Sequence, residues 1–150
     1  MKKTIIALIL LLSFGLLSQT YAAYNPSDGM RLSLEEKSIT TIFGAFFGTY
    51  KYKDMVPLMA PSLQNDLNEL KYNELRETLI KNFGVLKNPK FTLLQKIDNF
   101  DRIVYIAQGN NGVLFEVIYV FGLGESSVLL TEFAVRPIPP VSQAPAQQNK

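Results

Sequence analysis

Two glutamates, Glu116 and Glu132, stand in the middle of otherwise apolar, β-branched runs, and Tyr105 stands in a third such run. Carboxylates in that setting do chemistry when burial and mutual repulsion raise one pKa, leaving an acid and a base side by side. Tyr105 or Tyr119 would then donate a hydrogen bond to a substrate oxygen. The same residues also have a plain structural use. On a solvent-facing sheet surface each Glu pairs with a Lys or Arg of a neighbouring strand or of a second subunit. The structural use is preferred, because the opposite face of these strands is the more apolar and is the natural seat for helices.

What the chain lacks narrows the chemistry further. It has no His and no Cys in 150 residues. Ser-His-Asp and Cys-His catalysis, disulfides and a lipid-modified cysteine are therefore excluded, and carboxylates alone make a poor zinc site. No metal and no cofactor is expected. There is no phosphate-cradling glycine motif; the glycines of 122–125 read as a strand-to-strand loop.

The elements that must position these residues are three consecutive strands, 102–108, 113–121 and 127–135, rich in β-branched and aromatic residues and separated by GNNG and GLGES. If Asn110 and Asn111 form a two-residue primed turn, Tyr105 faces Glu116. If 122–126 is a five-residue loop, Glu116 faces Glu132. Opposed residues share a sheet face, so Val104, Ile106, Val113, Phe115, Val117, Tyr119, Phe121, Leu129, Phe133 and Val135 make one apolar face. Ile103, Tyr105, Leu114, Glu116, Ile118, Val120, Val128, Leu130 and Glu132 make the second, which is too apolar to stand wholly in water. A first strand is expected over 91–97.

Helices precede the sheet. Ser33 and Glu36 have capping-box spacing, and Ile39, Ile42, Phe43, Phe46, Phe47 and Tyr50 recur at helical intervals, which predicts a helix over 33–50. In this stripe Phe43, Phe46, Phe47 and Tyr50, with Tyr119, are candidates for the floor of an apolar ligand pocket, although such stripes are more often core. Asp54 is the remaining polar candidate, and capping of a short helix over 55–59 explains it. Pro61 suits the first turn of a piece running to about residue 68. A last helix begins at Asn68 or Asn73 and ends at Gly84.

Residues 1–22 have the layout of a secretory signal peptide: Lys2 and Lys3, an apolar run over 5–17, and a small-residue exit at Ala22. That run is short for a membrane span, so cleavage and a periplasmic or secreted destination are expected. Removing 1–22 takes two of the fifteen basic residues and no acid, leaving thirteen against thirteen acidic. Such neutrality argues against nucleic-acid binding. Residues 23–32 read as a flexible lead-in, and 138–150, rich in Pro and Gln, as a disordered tail.

The order of helix, short helices, helix and four antiparallel strands, with Phe46-Phe47 and Tyr50 ahead of Lys53-Asp54, the Leu58-Met59-Ala60-Pro61-Ser62-Leu63 corner, the Phe83-Gly84 helix end and the closing run from Glu132 to Pro137, resembles the NTF2-like (SnoaL-like) superfamily. Its secreted bacterial domains of unknown function are the nearest in pattern. The resemblance implies an α+β cone over 33–137, with helices closing one side of a curved sheet and a pocket at the wide end. It implies no activity, since one fold hosts many functions, and the missing His departs from many enzymatic members. The expected function is a non-catalytic exported module that binds a protein partner or a small apolar ligand, pairing as a homodimer through the second sheet face. The alternative is a small isomerase or hydrolase using Glu116 or Glu132.

Overall fold

The computed structural model describes residues 28–123 and 127–139. The expected signal peptide, the first part of the lead-in (23–27), the centre of the last loop (124–126) and the tail from residue 140 lie outside the described residues.

Helix α1, Asp28–Phe47, begins at Asp28 rather than at Ser33. The extra residues Met30, Arg31 and Leu32 are good helix formers, and Asp28 puts negative charge at the exposed amides of the first turn. The helix also stops before Tyr50. Gly48 ends it, the chain doubles back, and the Tyr50 amide donates to the Gly44 carbonyl at 3.2 Å. A Cβ on Gly44 would lie 2.2 Å from Tyr50 Cδ2, so the reversal depends on a bare backbone there.

Helix α2, Tyr52–Met55, passes into a 3-10 turn at Val56–Leu58, and α3, Pro61–Asp66, starts with Pro in its first turn as expected. Helix α4, Glu69–Phe83, takes the earlier of its two possible caps: the Asn68 side chain accepts from the Lys71 amide at 3.0 Å. Gly84 closes it with φ 78° and ψ −176°, a backbone region open to glycine and almost nothing else.

The fold is α+β. Four antiparallel strands, β1 (Lys87–Ile97), β2 (Phe100–Gln108), β3 (Leu114–Leu123) and β4 (Val128–Pro137), lie in sequence order. The expected register is corrected in two places. Residues 109–113 form a five-residue loop around a short 3-10 turn, closed by the Gly109 amide on the Val113 carbonyl, so Gln108 pairs with Leu114. That one-residue slip moves every β2 side chain to the opposite face from the one expected. Ile103, Tyr105 and Ala107 join Phe115, Val117, Tyr119 and Phe121 on the helix-covered face, while Val104 and Ile106 turn outward.

Between β3 and β4 the pairing is Glu116 with Arg136 and Val120 with Glu132, followed by a bulge after which Phe121 pairs with Leu130. The bulge exchanges Leu129 and Leu130: Leu130 is buried in the core and Leu129 faces outward with Gly122. Val113 leaves the sheet for the loop. Ile138, expected in a disordered tail, still bonds its amide to the Leu114 carbonyl at 2.9 Å.

Helix α1 crosses the inner sheet face. Its C-terminal half stacks Phe46 on Phe133 of β4, with ring centroids 4.4 Å apart and planes 8° from parallel. Tyr72 of α4 donates to the Ala45 carbonyl at 2.6 Å and ties α4 across α1. The Ala60 amide donates to the Leu130 carbonyl at 2.8 Å, so the corner before α3 covers part of the β4 edge. The N-terminal half of α1 meets the β1–β2 hairpin, where Lys96 of β1 reaches Asp28 at 3.0 Å. Among the described residues no helix is long and apolar enough to cross a membrane.

Candidate functional site

Glu116 and Glu132 do not meet. Both sit on the outer sheet face, each opposite a different partner, and Glu116 accepts from Arg136 Nε. Glu116, Arg136, Pro137, Ile138 and Pro139 line an open groove of about 330 Å³ at the end of β4. Tyr105 is on the inner face and so is separated from both glutamates by the thickness of the sheet. The alternative acid–base pair is not assembled, because β3 and β4 pair Glu116 with Arg136 and Glu132 with Val120, and the longer loop over 109–113 turns Tyr105 to the inner face.

The apolar candidates pack against one another. Phe46, Phe47 and Tyr119 are buried; Phe43 lies 5.1 Å from Phe47, and Tyr119 lies 5.5 Å from Phe133, centroid to centroid. Tyr50 is exposed and covers Gly44. Asp54 is the third residue of α2, and its carboxylate accepts from the Lys51 amide at 2.8 Å, a capping contact.

A different set of carboxyls occupies the inner face. Glu35 of α1 is 0% exposed and Asp101 of β2 is 1% exposed. The phase of α1 sets Glu35 in line with Ile39, Ile42 and Phe46, so once the helix starts at Asp28 the side chain must point at the sheet. The two-residue turn between Ile97 and Phe100, with Asp98 at φ 49°, pairs Asp101 with Lys96 and sets it on the same face as Ile103 and Tyr105. Lys96 Nζ then lies 3.5 Å from Asp101 Oδ2 and 3.0 Å from Asp28 Oδ1.

With both carboxyls ionised, neither Glu35 oxygen nor Asp101 Oδ1 has a hydrogen-bond donor, and burial of such atoms is costly. A proton on Glu35 relieves this. Burial, then the Asp101 charge, then a hydrogen bond to Asp101 that needs a proton to exist push Glu35 up to about 8; Lys96 and Arg31 offset this only in part. At neutral pH Glu35 is thus neutral, beside Asp101 and within the field of Lys96 and Arg31.

Two tyrosines extend the polar surface. Tyr105 and Tyr119 meet edge to face at 6.1 Å, and the Tyr119 hydroxyl is buried without a hydrogen-bond partner. Burial raises both phenols above their ordinary range, with Glu36 adding to the effect at Tyr105 and Tyr105 adding to it at Tyr119. Chemically, the cluster holds a proton that exchanges near neutral pH. It does not act on a substrate as arranged, since no atom of Glu35 reaches solvent. Among the described residues no group of three or more His, Cys, Asp or Glu has the placement to hold a metal ion.

The sequence carries one signal for this site. Glu35 falls in the hydrophobic stripe extended one turn backward, but an acidic residue close behind Ser33 also reads as helix-start charge. Asp101 had no signal of its own, because its direction depends on the register of β2. Comparison with protein-family models, curated proteins and solved structures finds no match for this chain.

Proposed function

We propose that the chain is an exported, non-catalytic interaction domain of the NTF2-like (SnoaL-like) cone class, and that it pairs with a second copy of itself through the outer sheet face. The observation that carries this is the make-up of that face. Leu93, Ile106, Leu114, Ile118, Val120, Leu129 and Ala134 share it, and Leu93 and Leu114 are 40% and 45% exposed. Two of its polar pairs are matched within the face: Arg102 donates to Gln95 at 2.7 Å, and Arg136 to Glu116. A largely apolar face whose cations are matched within it is covered against a like surface at low desolvation cost.

The layout of residues 1–22 supports export to a periplasmic or secreted setting. A small apolar ligand is the weaker occupant, because the aromatic residues that would floor its pocket fill that space with each other. Catalysis by Glu116 or Glu132 is the weaker reading, because both carboxyls lie on the outer sheet face and not in an enclosed cavity.

Sedimentation equilibrium tests the pairing. The wild-type chain is expected to sediment as a dimer at micromolar concentration, and a Leu93→Glu, Leu114→Glu double variant as a folded monomer with unchanged circular dichroism. A wild-type chain that stays monomeric across that range rules the homodimer out.

A further inference from the structure

The β1–β2 end of the molecule holds two buried carboxyls, one on the helix and one on the strand beneath it, and nothing else at that contact is as costly to close. Glu35 and Asp101 are 0% and 1% exposed. Lys96 clamps the same contact from β1 by bridging Asp28 and Asp101. Removing one proton from the pair leaves two negative charges facing each other out of water, which the N-terminal turns of α1 relieve by lifting and admitting solvent. The C-terminal half of α1 stays anchored through Phe46 on Phe133.

We propose that Glu35 and Asp101 form a proton-held latch, which seats residues 28–39 of α1 on the β1–β2 hairpin while the pair shares a proton and releases them when that proton passes to solvent. Release uncovers the inner-face tyrosines Tyr105 and Tyr119.

The groups around the pair leave it alone in the working range. Asp28 is held below its ordinary value by Lys96, and Lys96 is held above its own by Asp28 and Asp101. Tyr105 and Tyr119, facing from β2 and β3, are raised by burial and stay neutral, with the Glu36 charge adding to the rise at Tyr105. Glu35 binds its proton at about 8 when seated and at 4.5 when solvated. The released population therefore grows as pH rises from the lower value to the higher, approaching tenfold per pH unit, and is level above.

Native-state hydrogen exchange on the full chain, expressed as protection factors so that intrinsic exchange rates cancel, reads this directly. Between pH 5 and 8 the amides of 32–39 are expected to lose protection by nearly tenfold per pH unit, and at each pH to be less protected than those of 75–83 in α4, which open only with the whole fold. In Glu35→Gln, which keeps the shape and cannot ionise, the 32–39 amides should be flat with pH. A flat wild-type profile overturns the latch, as does protection at 32–39 equal to that of α4 at every pH or a slope that survives in Glu35→Gln. Should that variant not fold, the contrast between α1 and α4 in the wild type decides alone.

Discussion

The two halves of α1 rest on the same sheet face by opposite means. At the β4 end Phe46, Phe133, Tyr119 and Tyr72 interlock, a contact made of dispersion and excluded water that carries no charge. At the β1–β2 end Glu35, Asp101, Lys96, Arg31 and Asp28 meet, and the contact closes only with the right number of protons. One helix thus has a permanent anchor and a conditional one. The lesson is that continuity of a helix does not make its seating uniform.

The largest break in this comparison comes from removing the permanent anchor. Phe46→Ala should cost about 3–5 kcal/mol, the range for deleting a buried aromatic ring, measured by urea unfolding, and the loss should be the same at pH 5 and pH 8.

The conditional anchor should show the reverse behaviour. Glu35 binds its proton more tightly folded, at about 8, than in an unfolded chain, at 4.5. Its stabilising contribution is therefore complete below 4.5, lost as pH rises toward 8, and constant beyond. Thermal melts should fall across that window by on the order of 1 kcal/mol per pH unit in the wild type. Glu35→Gln should remove this slope and be the more stable protein at pH 8.

Two smaller effects sharpen the contrast by lying outside both ends. Gly84→Ala forces a side chain into a glycine-only backbone region against Asn110, and should cost about 1–3 kcal/mol at every pH. Glu116→Ala breaks the Arg136 pair, whose Arg side chain is 59% exposed, and should change unfolding by about 1 kcal/mol or less.

The permanent anchor was legible from sequence, because Ile39, Ile42, Phe46 and Phe47 announce their face by spacing alone, and Asn68, Pro61 and Gly84 mark helix ends by local chemistry. All four strands were legible for the same reason. The conditional anchor was not. Its placement depends on where α1 begins, which weak propensities at Asp28 to Leu32 decide, and on the length of the loop after Gln108. That loop follows Gly109 and Asn110 as they pack on α4: Asn110 lies against Gly84, and Phe115 lies 4.7 Å from Phe83. A contact between residues 26 positions apart sets a turn whose own letters favour a shorter one. Moving the register by one residue put Tyr105 inside, left Glu116 outside, and brought Asp101 under Glu35.

The most direct test is the titration of Glu35 itself, followed by the ¹³C shift of its side-chain carboxyl in the wild-type protein. A midpoint near 8 is the result expected of a carboxyl buried against Asp101. A midpoint at the ordinary 4.5 would mean that Glu35 stands in water, and the account of a helix with one conditional anchor would be wrong.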